Sequence, residues 1–310
     1  MSKVTVVGAG NVGATVANVL AHKDLLNEVV LLDIVGDLAR GKALDSWQQA
    51  PIDYYSTRLK GTEDYKDTAN SDVVVITAGI PRKPGMSRDD LISTNAKIVS
   101  SVTKSILEHS ENPIIIIVSN PLDVMTYAAY KMSGLSPKRV FGMAGILDTA
   151  RYRAFLATAL KVSPKDIHAV LMGGHGDTMV PLPRYTTVGG IPVTEMIDSA
   201  DLDAIVARTK KGGGELVKLM GTSAWYAPGA AAAQMVEAIL RDEQRIFPCC
   251  VKLEGAYGMK DIFLGVPVKL GRNGIEEVIE LKLKEDEMAL LRTSEGHVRQ
   301  VMEVFDNMNL

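Results

Sequence analysis

The sequence predicts an α/β protein in which a doubly wound parallel sheet is followed by an α+β region. In the first half of the chain, short β-branched runs alternate with helical patterns. Two of these runs, residues 73–76 and 114–118, have no polar face, which is typical of central strands covered by helices on both sides. After about Gly145 the alternation stops. Since 310 residues suffice for two cores, we predict one domain at residues 1–145 and another at 146–310.

The first half contains strand patterns separated by helical patterns. The strands are expected at Val4–Val7, Val29–Leu32, Val73–Thr77, Ile114–Ser119 and Arg139–Met143. The helices are expected near Val12–His22, Asp37–Gln49, Asp90–Glu108 and Asp123–Met132. Because ligands of such sheets bind beyond the carboxyl ends of the strands, we expect the strand-end residues to converge on one crevice.

The second half has a different rhythm. Its helices are expected at Leu147–Leu160, Leu202–Leu219, Ala227–Arg241 and Glu285–Phe305. Its strands are expected at His168–Met172, Ile246–Tyr257 and Ile262–Gly271. The first of these helices begins close to the predicted boundary, so we expect a fixed cleft between the domains rather than a flexible joint.

A glycine motif follows the first strand and opens the first helix. It comprises Gly8, Ala9, Gly10, Asn11, Val12 and Gly13. In such a motif the glycines permit a tight turn, a close approach of backbone to a pyrophosphate, and close packing of helix on strand. The helix N-terminus then favours the phosphate charge through its free N–H groups. A glycine turn in an α/β protein without a cofactor is the simpler alternative.

Asp33 makes the dinucleotide interpretation more specific. It ends the second strand, 20 residues after Gly13, where a carboxylate accepts hydrogen bonds from an adenosine ribose diol. Ile34 and Val35 follow it, so a 2′-phosphate would meet the carboxylate without a nearby positive charge. We therefore predict a Rossmann-type domain that binds NAD rather than NADP.

His175, Asp148 and Arg151 form a candidate acid/base group. His175 lies between two glycines at a strand end, where we expect an exposed imidazole on a mobile turn. Asp148 and Arg151 are three residues apart on one predicted helical face, and by themselves they are explained by an intrahelical ion pair. A histidine held by a carboxylate is a common acid/base device, and an arginine offers a planar fork to a substrate carboxylate.

Two further segments carry candidate substrate ligands. Residues 79–90 form a long connection rich in proline and basic residues, including Arg82 and Arg88, which suits a lid over a substrate but also a solvated loop. Asn120 follows a strand and precedes Pro121, where it would orient a substrate oxygen or cap the next helix. Together with the dinucleotide motif, these residues indicate a small anionic alcohol as substrate.

The order of these motifs resembles the lactate/malate dehydrogenase superfamily along the whole chain. The matching segments are Gly8–Gly13, Pro81–Arg88, Val118–Pro121, Leu147–Arg151 and Gly174–Asp177. The resemblance implies homo-oligomers, either dimers or tetramers. Apolar positions at residues 12–20 and 216–220 are compatible with an interface, but equally with intrachain core.

The resemblance also implies a role for each site residue. His175 would accept the hydroxyl proton and Asp148 would orient it, while Arg151 would clamp the C1 carboxylate and Arg88 would polarise the C2 oxygen. Asn120 would contact both the substrate and the cofactor. Asn95, Val118 and Ser119 would complete the cofactor-binding site.

Arg82 is expected to decide the substrate. Family members that act on lactate typically carry Gln at this lid position, and those that act on malate carry Arg. A closed lid would pair Arg82 with the second carboxylate of oxaloacetate. Pyruvate would leave a desolvated guanidinium unpaired, at a cost of several kcal/mol, or roughly a thousandfold in rate. We expect NAD-dependent oxidation of malate to oxaloacetate; a lactate or other 2-hydroxyacid dehydrogenase and a non-catalytic NAD-binding protein are the alternatives.

Composition excludes several other classes. A net charge of −3 does not indicate a nucleic-acid or membrane partner. The sequence shows no apolar run of ~18 residues and no signal-peptide pattern, so we expect a cytoplasmic protein.

Histidine and cysteine spacing predicts no metal site. The adjacent Cys249 and Cys250 are expected on opposite faces of a strand, one of them buried, in a reducing compartment.

Overall fold

The computed structural model describes residues 2–81 and 85–308. The strands of the first half are β1 (Lys3–Val7), β2 (Glu28–Leu32), β3 (Arg58–Thr62), β4 (Val73–Ile76), β5 (Ile114–Ile117) and β6 (Val140–Gly142). The helices of the first half are α1 (Asn11–Lys23), α2 (Gly36–Gln48), α3 (Ala50–Asp53), α4 (Arg88–Leu107) and α5 (Leu122–Ser133). Each predicted helix and strand of this half is present, with ends shifted by a few residues.

The second half contains longer helices and a mixture of short and long strands. Its helices are α6 (Gly145–Leu160), α7 (Ser199–Met220), α8 (Tyr226–Leu240) and α9 (Glu285–Asp306). Its short strands are β7 (Ile167–His168), β8 (Leu171–Met172), β9 (Val180–Pro181), β10 (Thr187–Val188) and β11 (Ile191–Pro192). Its long strands are β12 (Arg245–Glu254), β13 (Lys260–Gly271) and β14 (Gly274–Val278).

The main sheet has the order β14-β13-β12-β6-β5-β4-β1-β2-β3. The strands from β6 to β3 are all parallel, whereas β12, β13 and β14 pair antiparallel. The parallel part has the order of a dinucleotide-binding doubly wound sheet. Every residue of β4 and β5 is buried, because helices cover both faces of the sheet. The predicted fold class is confirmed.

Two hydrophobic clusters lie on the two faces of this sheet. One includes buried residues of α1 and α8, and the other includes buried residues of α4, α5 and α9. Helices α1 and α8 approach so closely that a Cβ at Gly229 would lie 2.5 Å from Cγ2 of Thr15. Val16, Ala17 and Leu20 are buried in the first of these clusters, and Val12 and Val19 pack against it, so the apolar positions of this helix contribute to the intrachain core.

Some strands were not expected from the sequence. The edge strand β3 is polar and half-exposed, so it lacks the apolar run that predicts a buried strand. A Cβ at its Gly61 would lie 2.2 Å from the Ala39 carbonyl oxygen, so α2 packs directly on this edge. The prediction of a single strand at 168–172 is wrong. It is divided into β7 and β8, because β7 pairs with β10 whereas β8 pairs with β9.

The sheet continues from the first half of the chain into the second. Cys250 of β12 pairs with Gly142 of β6, and α6 begins three residues after β6 ends. Cys249 and Cys250 lie in different hydrophobic clusters, hence on opposite faces as expected. The expectation that only one of them is buried is wrong, since both have 0% exposure. A strand inside a sheet covered on both faces buries side chains of both parities.

Residues 2–81 and 85–308 contain no helix long and apolar enough to cross a membrane. Within the same ranges, no group of three or more His, Cys, Asp or Glu side chains is arranged to hold a metal ion.

Candidate active site

The glycine motif has the geometry that a pyrophosphate requires. Gly8 has φ +104°, and a Cβ there would lie 2.7 Å from Oγ1 of Thr77. A Cβ at Gly13 would lie 1.8 Å from the Gly8 carbonyl oxygen, so this position excludes any side chain. At Gly10, by contrast, no described atom would lie within 4 Å of a Cβ. The backbone at Gly10, the residue that precedes α1, is thus open to a ligand at the helix N-terminus.

Asp33 joins this motif to the end of β2. Its Oδ2 atom accepts a hydrogen bond from the Ala9 N–H at 2.6 Å, and its Oδ1 atom accepts one from the Val35 N–H at 2.9 Å. A carboxylate oxygen can accept more than one hydrogen bond, so each oxygen retains capacity for a ribose hydroxyl. Glycine loop and carboxylate therefore lie side by side, as the sequence predicts, and they fit the diphosphate and adenosine ribose of NAD.

Asn95 connects the ends of two strands. Its side chain is 2% exposed, and its Oδ1 atom accepts a hydrogen bond from the Ile80 N–H at 2.8 Å. Its Nδ2 atom donates to the Ile80 carbonyl at 3.1 Å and to the Asn120 carbonyl at 2.7 Å. The amide thus holds the main chain that follows β4 and β5. Sequence reasoning missed this positioning, and the expected contact with the cofactor stays a prediction.

The segment after β5 brings the other strand-end residues to the same edge of the sheet. Val118 is 8% exposed, and the Ser119 hydroxyl donates a hydrogen bond to the Ala78 carbonyl at 2.6 Å. Asn120 is exposed and precedes Pro121 through a cis peptide bond. Among the described residues no side chain caps α5, whose N-cap is Pro121, so the interpretation of Asn120 as a helix cap is wrong.

His175, Asp148 and Arg151 are in direct contact. Nδ1 of His175 lies 2.8 Å from Oδ2 of Asp148, and Nη1 of Arg151 donates to Oδ1 of Asp148 at 3.1 Å. The side chains are 20%, 2% and 14% exposed in that order. The intrahelical ion pair and the histidine–carboxylate pair therefore coexist, because Asp148 uses one oxygen for each.

The turn that carries His175 is anchored rather than mobile. The Gly173 N–H donates to the Gly265 carbonyl of β13 at 2.8 Å. The Gly174 N–H donates to Oγ of Ser294 in α9 at 2.8 Å, and the His175 N–H donates to Oδ2 of Asp123 in α5 at 2.9 Å. Three consecutive amides thus bind three different elements. The expected mobile turn is wrong, because glycine permits this turn but its hydrogen bonds hold it.

The environment of His175 shifts its titration. Burial by itself lowers the pKa of His175, but the charge and hydrogen bond of Asp148, aided by the charge of Asp123, raise it above the ordinary value of 6.5. Burial raises the pKa of Asp123, a carboxylic acid that the sequence reasoning did not select. The sequence signal that could have indicated Asp123 is its position in the first turn of the helix after Asn120-Pro121.

A cavity of about 450 Å³ brings Arg88 and His175 together. It lies between the N-termini of α4 and α5, the turn that carries His175, and α9. Its ionisable lining residues are Arg88, Asp123, His175, Asp177 and His297. Arg151 contacts His175 only through Asp148 in this structure. Arg82 lies outside the described residues, so its placement over the substrate stays a prediction.

Comparison with known proteins identifies the family of this chain. Residues 2–142 match the lactate/malate dehydrogenase NAD binding domain, and residues 146–308 match the lactate/malate dehydrogenase alpha/beta C-terminal domain. The chain belongs to the lactate/malate dehydrogenase family. The predicted family, the NAD cofactor and the prediction of an NAD-dependent dehydrogenase are thereby confirmed.

Individual members of the family are similar over nearly the whole chain. A malate dehydrogenase from Cytophaga hutchinsonii is 67% identical over 307 residues, which cover 99% of this chain and 98% of that protein. A crystal structure of malate dehydrogenase from Salinibacter ruber has a TM-score of 0.95 at 57% identity, covering 99% and 98% of the two chains. The lactate dehydrogenase of Cryptosporidium parvum, solved with lactic acid and nicotinamide adenine dinucleotide, also has a TM-score of 0.95, at 38% identity and 99% and 98% coverage. The fold alone therefore does not distinguish the two substrates.

Proposed function

We propose that this chain interconverts (S)-malate and oxaloacetate with NAD as the hydrogen acceptor or donor. The observation that carries the proposal is the contact of His175 with Asp148, which also binds Arg151, in a chain whose first half matches the NAD binding domain of this family. Malate dehydrogenase is also the name of the relative that is 67% identical.

The first half of the chain would hold the cofactor. When bound, NAD supplies the acceptor for the hydrogen and electron pair that leave C2 of malate. Main-chain N–H groups at Gly10 and the start of α1 would bind the pyrophosphate, and Asp33 would accept hydrogen bonds from the ribose. Asn95 would hold the backbone beside Asn120, so that the nicotinamide end meets a fixed strand edge.

His175 would move the substrate proton. Asp148 binds Nδ1, which leaves Nε2 to take the proton of the malate C2 hydroxyl. The nearly buried Asp148 carboxylate would then stabilise the imidazolium by charge and by hydrogen bonding. In the reverse direction the protonated His175 would return the proton to the oxaloacetate carbonyl oxygen.

Arginines would bind the anionic substrate. Arg151 is held by Asp148, and its Nε atom is buried without a partner among the described residues, so the guanidinium retains donors for the C1 carboxylate. Arg88 lines the cavity with His175 and would polarise the C2 oxygen, while Asn120 would orient the substrate. Arg82 would pair with the second carboxylate when residues 79–90 close.

The experiment that tests the proposal compares two substrates. NADH oxidation is followed by absorbance with oxaloacetate and with pyruvate at equal concentration. We expect a preference for oxaloacetate of roughly a thousandfold, because pyruvate offers no partner to Arg82. A preference for pyruvate would retain the chemistry and contradict the substrate. No oxidation of either substrate by protein that binds NADH would support a non-catalytic NAD-binding protein.

We also propose that the chain divides into domains at residues 1–145 and 146–310 and assembles as a cytoplasmic homodimer or homotetramer. Large apolar side chains on and after α2 support the assembly, since Leu44, Ile52 and Tyr54 are 57%, 72% and 90% exposed, and Leu219 of α7 is 74% exposed. A second copy of the chain would cover them. Light scattering tests this, and a mass of 33.4 kDa would contradict it.

A further inference from the structure

Another cavity, of about 470 Å³, lies at the edge of the main sheet opposite to the glycine motif. It is formed where β1, β4, β5 and β6 begin, by the residues that follow α4, by the end of α8 and by the turn between β13 and β14. The candidate active site lies beyond the carboxyl ends of the same parallel strands, so the length of the strands separates the two places. This basal cavity is therefore not part of the site described above.

Arg139 lines the basal cavity from the position just before β6. Its main chain is fixed, because its N–H donates to the Ser136 carbonyl at 2.9 Å and its carbonyl accepts from the Ile115 N–H at 2.7 Å. Its Nη2 atom donates to the Asn112 carbonyl, whereas its Nε atom is buried and has no hydrogen-bond partner within the described ranges. Since a guanidinium has five N–H donors, the side chain retains donors for a ligand in the cavity.

Arg139 also lacks a counter-ion. Within the described ranges its guanidinium forms no ion pair, and burial lowers its pKa. Arg184 and Arg299, by contrast, each pair with a carboxylate at 2.7 Å. An arginine remains protonated in a protein, so a part-buried guanidinium without a carboxylate favours the binding of an anion.

The other charges of the basal cavity limit the kind of anion. Asp72 and Glu111 line it as well, and Arg272 lines it from the turn between β13 and β14. Asp72 accepts a hydrogen bond from the Lys3 N–H at 2.9 Å, and Arg272, whose side chain is 73% exposed, lies 3.9 Å from Asp242. Because two carboxylates share the cavity with the two arginines, they would repel a second negative charge on a ligand.

We propose that the basal cavity is a second ligand site, which binds a small singly charged carboxylate through Arg139, with Arg272 at the rim. A planar guanidinium presents parallel N–H donors, and a carboxylate offers two oxygens at a matching spacing. The volume of the cavity lies within the range of small-molecule sites, roughly 300–1,000 Å³. The ligand class differs from the dicarboxylates of the proposed reaction, so this site goes beyond the proposed function and does not rest on it.

The direct test is an NMR titration of the Arg139 Nε–Hε signal with sodium acetate, in which sodium chloride keeps the ionic strength constant. The signal that disappears in Arg139→Lys is the one to follow. If this variant does not fold, triple-resonance spectra of the wild-type protein supply the assignment. We expect a saturable shift with a Kd on the order of 10 mM, as for a ligand held by one charge-assisted pair. A signal that does not shift saturably would overturn the proposal.

Two dianions test the limit on charge. Sodium sulfate and sodium malate, at the same ionic strength, should bind at the Arg139 signal at least about tenfold more weakly than acetate, because Asp72 and Glu111 oppose the second charge. Malate or acetate at the active-site arginines does not affect this reading, since Arg139 lies at the other end of the strands. Binding of either dianion as tight as that of acetate would overturn the proposal.

Arg272→Gln tests the rim with little risk to the fold. The variant should weaken acetate binding about two- to fivefold, because a charge that is 73% exposed is largely screened by water. Arg208→Gln is the matched control, since this arginine is 53% exposed and pairs with Glu215 in α7, outside the cavity. An unchanged affinity in Arg272→Gln, or an equal loss in Arg208→Gln, would overturn the proposal. These measurements require no turnover, so a failure of the dehydrogenase assay would refute the proposed function separately.

Discussion

Nδ1 of His175 and Oδ2 of Asp148 lie 2.8 Å apart, and the Asp148 side chain is only 2% exposed. At this distance the carboxylate fixes the ring orientation and favours a proton on Nδ1. The two residues come from an anchored turn and from α6, elements separated by 27 positions along the chain. The pair thus depends on how the turn packs against the helix.

Replacement of His175 by Asn should abolish turnover. The amide cannot accept and return a proton, and loss of acid/base catalysis typically costs ~10²–10⁴-fold in rate. NADH binding, measured by fluorescence titration, should be retained because the glycine loop lies elsewhere. His297→Asn, which changes another histidine of the same cavity, is the control and should remain active. More than about a tenth of the wild-type rate in His175→Asn would contradict the assignment.

The two reaction directions should have opposite pH profiles. Oxaloacetate reduction needs protonated His175, so kcat/KM should be constant below the raised pKa of His175 and fall about tenfold per pH unit above it. Malate oxidation needs neutral His175, so its kcat/KM should decrease as the pH falls below that pKa. The raised pKa of His175 also stabilises the folded state at any pH below the pKa that His175 has in the unfolded chain. This contribution is lost as the pH rises through the pKa that His175 has in the folded protein. Parallel profiles in the two directions would exclude His175 as the titrating group.

Gly10→Ala should separate cofactor binding from stability. No described atom lies within 4 Å of the added Cβ, so the melting temperature should change little. The methyl group would occupy space expected for the pyrophosphate, and we expect NADH affinity to fall at least tenfold, or about 1.4 kcal/mol. Gly41→Ala in α2, which is equally open, is the control and should bind NADH normally. Unchanged affinity in Gly10→Ala would place the pyrophosphate elsewhere.

Arg82→Gln should weaken the preference for oxaloacetate. The variant loses the charged partner of the second carboxylate and tolerates a methyl group there, so oxaloacetate reduction should decrease and pyruvate reduction should increase. The ratio of the two kcat/KM values measures the change. Arg241→Gln, at a site 53% exposed, provides the surface control. An unchanged ratio would refute the lid interpretation, which rests on the sequence alone.

Both cysteines should be unreactive in the native protein. Burial raises the pKa of Cys249 and of Cys250, so neither thiol forms the reactive thiolate near neutral pH. An aromatic disulfide reagent should therefore modify neither thiol in native protein and both in denaturant. Rapid native modification of either cysteine would show that β12 opens.

Much of the fold and of the site could be predicted from local sequence. The apolar runs at 73–76 and 114–117 suffice to predict central strands, because only a strand covered on both faces tolerates no polar residue. The glycine motif and Asp33 likewise predict their own geometry, since the turn, the helix and the next strand are close in sequence. The half-exposed β3 could not be predicted in this way, because its amino-acid composition does not differ from that of a loop.

The tertiary structure decided what depends on distant neighbours. A glycine-flanked histidine is expected to be mobile, yet its turn is held by β13, α9 and α5, whose residues lie far away in the chain. Asp123 becomes a neighbour of His175 for the same reason, since its place in the first turn of α5 does not by itself predict the 2.9 Å contact. By itself, therefore, the sequence determined the chemical types present and the elements that carry them. Packing determined which groups meet, because hydrogen bonds and charges act only over the few ångströms that tertiary contacts provide.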